Sequence, residues 1–173
     1  MTGSPEPSLV MVLGRPNPLL ARWLAARERH TIWPAAETLH RVPAARNAMV
    51  RAFLSEPAPD WLVMLDRDIV PVPESAPFFS SPADITSAEI VTRAGRASHP
   101  HTISAAALKI ARRALEAIRP PWFGWPREGG CECAWFYGRA YRAGFRPVRA
   151  GVVGHRFPVT VLPGPLVRFD GEY

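Results

Sequence analysis

At 173 residues the chain has the size of one domain with a core of its own, and 47% hydrophobic against 21% charged residues excludes a disordered composition. Its formal net charge of +6 is carried almost wholly by arginine, Lys109 being the only lysine, which points to phosphate-bearing ligands or acidic surfaces. No long basic run and no nucleic-acid-binding module occurs, so nucleic acid is not an expected partner.

The two cysteines, Cys131 and Cys133, are one residue apart. That is not the paired spacing of a zinc ribbon, and the loop is too short for an unstrained disulfide, so both read as free thiols of a cytoplasmic protein. Met1 to Pro7 lacks the basic start and apolar core of a signal peptide and reads as a disordered lead-in. No stretch has the length of a membrane span. The 20 prolines fall mostly in punctuating pairs such as Pro57/Pro59 and Pro120/Pro121, which predicts a loop-rich domain.

In chain order, Ser8 to Leu13 reads as a buried first strand, followed by a turn at Gly14 to Pro18. Leu19 to Arg29 has helical spacing of Leu20, Trp23, Leu24 and Arg27. Thr31 to Trp33 reads as a short strand. Pro43 suits the first turn of a helix that runs to Leu54, with Ala45, Met49, Ala52 and Phe53 on one stripe. Trp61 to Leu65 is an apolar run suited to a strand buried on both faces, and it ends in Asp66-Arg67-Asp68. On an extended segment side chains at i and i+2 project the same way, so Asp66 and Asp68 can share one cation at a strand end, where open α/β sheets place ligands. An Asp-rich turn that merely caps the strand is the alternative.

Asp84 to Thr92 reads as one or two strands and Arg93 to Thr102 as a loop. His99 and His101 in that loop can serve metal or remain exposed polar residues, the latter being the preferred reading. Ser104 reads as the N-cap of a helix reaching about Ile118, stopped by Pro120-Pro121. Glu132 to Ala143 reads as a helix closed by Gly144, and Arg146 to Val153 as a strand that delivers Gly154-His155. Strand, helix and strand alternate, which predicts a mainly parallel sheet flanked by helices in one domain over residues 1–173.

Four pieces thus stand in order: Arg46-Asn47 in a helix, Asp66-Arg67-Asp68 after a buried strand, Glu132 opening a later helix, and His155 after the last strand. From about Val42 to His155 this order resembles glycosyltransferases of the GT-A fold, especially the family-2-like group. The resemblance implies a Rossmann-like α/β fold and transfer of a sugar from a nucleotide-sugar donor to the hydroxyl of a glycan, protein or small-molecule acceptor. It also implies Mn²⁺ or Mg²⁺ on the donor diphosphate, held by Asp66 and Asp68 and joined by His155, with Arg46 on the donor side.

A hard cation on a diphosphate suits such oxygen ligands, and one imidazole favours manganese. Glu132 is the candidate base for the acceptor hydroxyl. Trp122 and Trp125, just before it, are candidate acceptor contacts by stacking on sugar rings, or else a hydrophobic plug. Asn47 reads as structural, Arg67 as a solvated charge, and Trp135 and Phe136 as core.

Two departures stand out. Aligned on Gly144-Phe145, Cys133 replaces the acid that follows Glu132 in many of these enzymes, and the stretch from the first strand to Asp66 is short. Both motivate the alternative of a nucleotide-sugar- or glycan-binding domain without turnover. A metal-dependent phosphohydrolase using the same acids ranks lower, because no nucleophile motif or further acid cluster accompanies them.

Overall fold

Two apolar runs set the architecture. Along Ser8–Leu13 (β1), Leu9, Met11 and Leu13 face one side and Val10 and Val12 the other; along Trp61–Asp66 (β3), Leu62 and Met64 oppose Val63 and Leu65. A strand that is apolar on both faces needs cover on both. A computed structural model describes residues 8–27, 29–34, 41–92, 95–96, 104–127, 129–155, 159–161 and 167–169, and in it two hydrophobic clusters form on opposite faces of one sheet.

Val42–Ser55 (α2), Arg112–Ala117 (α4) and Glu132–Arg142 (α5) cover one face, with Phe53, Leu115 and Phe136 wholly buried. Pro18–Ala25 (α1) and Ala76–Ser80 (α3) cover the other through Leu20, Leu24 and Phe78.

The remaining strands are His30–Trp33 (β2), Ile69–Pro71 (β4), Ile85–Thr92 (β5), Gly95–Arg96 (β6), Ala107–Ala111 (β7) and Val148–His155 (β8). The order across the sheet is β2-β1-β3-β7-β5-β8-β4, with β6 attached to β5. Val159–Val161 (β9) and Val167–Phe169 (β10) form a separate antiparallel pair that the sequence pattern did not signal. Among the described residues no helix is long and apolar enough to cross a membrane.

The sheet is mixed, which corrects the expectation of a mainly parallel one. β1 pairs in parallel with β2 and β3, and β5 with β8, whereas β7 is antiparallel to both β3 and β5, β8 is antiparallel to β4, and β6 to β5. The cause is β7, which lies inside the span expected to be a helix from Ser104.

Ala105 to Ala111 has a helix-favouring composition, but the slot between β3 and β5 buries all five β7 residues. Lys109 is accommodated there because its ammonium donates to the carbonyls of Phe79 (2.9 Å) and Ser81 (2.7 Å) and sits 4.0 Å over the Trp61 ring. Only Arg112–Ala117 remains helical.

The first helix ends at Ala25, earlier than its spacing suggested, while α2, α5 and the left-handed Gly144 (φ 88°) fall where the sequence placed them. Met1 to Pro7, and His99 and His101 within the expected 93–102 loop, lie outside the described residues.

Gly151 is the tightest backbone contact on β8. Its φ is +68°, and a Cβ there would lie 2.8 Å from the Phe78 nitrogen and 3.0 Å from the Glu74 carbonyl oxygen. Strain and overlap with backbone combine, so Gly151→Ala is expected to destabilise by about 2–3 kcal/mol. Chemical denaturation checks this; an unchanged midpoint would mean that β8 and α3 separate freely.

Candidate active site at the ends of β3, β8 and α5

β3 stops at Asp66, and Arg67-Asp68 forms a turn into β4. The chain is therefore not extended through the acidic motif, and the two carboxylates take different partners. Asp66 accepts from Arg46 Nη2 through Oδ1 at 2.9 Å. Asp68 Oδ2 lies 3.1 Å from His155 Nε2.

The second contact follows from register. Ile69 is directly opposite His155 in the β4–β8 pair, so the residue before β4 meets the last residue of β8. Asn17 fixes the turn from the other side: its backbone nitrogen and Nδ2 donate to Arg67 O (2.8 and 3.2 Å), Nδ2 also donates to Ile69 O (3.0 Å), and Oδ1 caps α1 at Leu20 N (2.9 Å). This tie is legible only after the fact in Asn17-Pro18, an N-cap followed by proline in the first turn.

Arg46 comes from the second turn of α2 and is 2% exposed. Its Nε lies 3.6 Å from Glu132 Oε1, and Glu132, 14% exposed in its side chain, opens α5, where a carboxylate also suits the helix dipole. Burial works against the Arg46 charge, but the carboxylates of Asp66 and Glu132 together outweigh it and raise its pKa. Burial pushes the Asp66 carboxyl up against the pull of Arg46, and Asp68 pushes in the same direction as burial.

The expectation that Asp66, Asp68 and His155 form one three-ligand metal shell needs correction: among the described residues no group of three or more His, Cys, Asp and Glu converges to hold a metal. The turn at residues 67–68 separates what an extended strand would have aligned. Asp68 and His155 remain, an oxygen and a nitrogen donor in contact and about one third exposed. That pair suits a borderline divalent ion whose other ligands come from phosphate and water.

Arg46 is likewise no open donor contact, because its guanidinium is turned inward between the two acids. Trp122 takes the hydrophobic-plug alternative: it is 6% exposed, and its indole nitrogen donates to Leu115 O at 2.8 Å. Trp125 is 37% exposed.

Asn47 is structural as read and clamps the aromatic loop. Its Nδ2 donates to Phe123 O (2.8 Å) and its Oδ1 accepts from Phe123 N (3.1 Å). Phe136 is core, whereas Trp135 is half-buried with its indole donating to Pro121 O. Arg67 is exposed, as expected.

Behind Glu132 the interior stays neutral. Cys133 is 4% exposed, and its thiol is pushed up to about 12 by burial and by the Glu132 charge. Tyr137 is pushed well above its ordinary value by burial, and Cys133 adds to the push. Arg46 Nε and Nη1 and the Tyr137 hydroxyl, all buried, have no hydrogen-bond partner in the protein.

No family model matches the sequence, and no curated protein does. Solved structures do. A197 from STIV superposes with a TM-score of 0.62 at 15% identity, over 96% of this chain and 95% of that one. The chain shares its fold with solved glycosyltransferases of GT-A-like architecture. These are a glycosyltransferase involved in glycosylation of the major capsid of PBCV-1 (TM-score 0.55, 16% identity, 86% of this chain and 92% of that one) and a mutant of Drosophila β1,4-galactosyltransferase 7 solved with manganese, UDP-Gal and xylobiose (TM-score 0.60, 15% identity, 87% and 70%).

Two outcomes follow from the buried ions and thiol. Arg46→Met leaves two carboxylates without their cation and is expected to cost about 3–5 kcal/mol by denaturant titration, with Arg46→Lys in between. Cys133 keeps its proton in the folded state to about pH 12, whereas the unfolded thiol loses it near 9. The unfolded state is therefore favoured progressively across that window, and stability should fall by up to about 1.4 kcal/mol per pH unit. Cys133→Ala should remove that part of the alkaline slope; an identical slope would place the loss elsewhere.

Proposed function

We propose that the chain is a metal-dependent glycosyltransferase that moves a sugar from a nucleotide-sugar donor to an acceptor hydroxyl. The observation that carries this is the Asp68–His155 contact, set by the β4–β8 register at the edge of a GT-A-type sheet, with Glu132 held nearby through Arg46. The Drosophila neighbour solved with manganese and UDP-Gal supports the reading of the site.

Asp68 and His155 are the residues that would hold Mn²⁺ or Mg²⁺. The ion's chemistry in such a site is neutralisation of charge on a departing nucleoside diphosphate. Asp66 serves by anchoring Arg46, and Arg46 by fixing Glu132 at the start of α5. Glu132 takes the proton of the acceptor hydroxyl as general base. Trp125 offers the exposed aromatic face against which a sugar ring stacks.

One observation favours a second reading, a nucleotide-sugar-binding domain without turnover. Glu132 is largely buried and ion-paired, and its neighbour at 133 is a neutral thiol in place of the acid seen in the resemblance.

A thermal-shift panel of nucleoside diphosphates and nucleotide-sugars, with and without Mn²⁺, tests both. At a hundredfold excess over Kd, bound ligand is expected to stabilise by about 2.7 kcal/mol, a rise of roughly 5–10 °C. The shift should require metal and disappear in Asp68→Asn and in His155→Ala. Glu132→Gln should keep the shift while abolishing sugar transfer or donor hydrolysis. No shift with any nucleotide overturns the donor site; a shift with no turnover by the unsubstituted chain selects the binding domain.

A further inference from the structure

Residues 119–149 hold six arginines against two glutamates, a net +4 of the chain's +6. Three of the four large apolar side chains left exposed among the described residues also lie in this segment: Trp125 (37%), Tyr141 (46%) and Val148 (39%). Contacts link the aromatic loop, α5 and Arg146, and Val148 follows Arg146 by two residues.

The aromatic loop packs on α5 where Gly124 meets the Trp135 ring. Arg139 lies 5.8 Å from the same ring and donates to the carbonyl of Arg119, which brings the end of α4 alongside. Arg142 folds back over Gly138, and Arg146 stacks 5.1 Å from the Tyr141 ring, two residues before Val148. Glu132, the α5 acid, is turned inward to Arg46, so it does not neutralise these arginines.

We propose that this face of α5 and its flanking loops adsorbs to an anionic phospholipid bilayer. Charge complementarity selects an anionic partner. The interleaving selects a bilayer over a soluble polyanion: arginines beside exposed Trp, Tyr and Val edges match an interface where phosphates lie next to the acyl boundary, whereas a polyanion uses the charge alone. Arg142 and Arg146 reach phosphate while Tyr141 and Val148 enter the boundary. The reading is independent of any transfer reaction, since binding needs neither donor nor metal.

Sedimentation of the whole chain with vesicles tests it. The chain is expected to bind vesicles of phosphatidylcholine with about 30% phosphatidylglycerol at least about tenfold better than phosphatidylcholine alone, and to be released by high salt. The pair Arg142→Gln/Arg146→Gln should weaken binding about fivefold per arginine neutralised. The pair Tyr141→Ser/Val148→Ser leaves charge unchanged and should also weaken it several-fold; both pairs are exposed, and an unchanged melting curve confirms folding. Equal binding to neutral and anionic vesicles, or none to either, overturns the proposal. So does binding of heparin with vesicle binding indifferent to Tyr141→Ser/Val148→Ser, which would make this face a polyanion site.

Discussion

The buried guanidinium of Arg46 is the constraint on which the rest of the site depends. Moving a charge of this size out of water costs several kcal/mol, and the cost is met only if its partners are held close and well aimed. Asp66 supplies one contact from the end of β3 and Glu132 the other from the start of α5. Three elements far apart in sequence are thereby fixed at one point. α2 must seat itself so that Arg46 reaches the gap, and the Asn47 clamp on Phe123 locks the same helix to the loop that precedes Glu132. The ion cluster sets position, and the apolar faces of α2 and α5 supply stability.

Topology then divides the acidic motif. Asp66 ends a strand in the middle of the sheet and faces inward to Arg46, while the turn after it throws Asp68 outward to the edge pair β4–β8. Both side chains are about one third exposed, but one is held by a buried guanidinium and the other lies against an imidazole. Asn17 keeps that turn from relaxing by holding the carbonyls of Arg67 and Ile69. The two acids of one short motif thus take different partners because the backbone bends between them.

Much of this was legible in the sequence, for a physical reason. β1 and β3 are apolar runs, α2 and α5 have helical stripes and clear stops, and such strong local patterns survive tertiary packing. Arg46, Asp66, Asp68, Glu132 and His155 were singled out because their order resembles a known family, and the structure sets Arg46 against Asp66 and Glu132, and Asp68 against His155. What could not be read depends on long-range pairing. β7 looks helical because alanine favours helices; its strand state comes from a slot between β3 and β5 and from carbonyls that satisfy Lys109. The separation of Asp66 from Asp68 depends on a turn held by Asn17, and the burial of Trp122 on a carbonyl of α4. In each case the deciding partner is distant in sequence.

The neutral residue at 133 also follows from the ion cluster. Arg46 carries one positive charge and already has two carboxylates, so the cluster is net negative before position 133 is considered. Cys133 is 4% exposed and close enough to Glu132 for that charge to raise its pKa. A third carboxylate there would be buried, beside a like charge, with no unshared cation among its neighbours; it would hold its proton or weaken the site. A thiol fills the space without adding charge. With the acid absent from 133, Glu132 is the acid that remains at the start of α5, and Arg46 is the cation it faces.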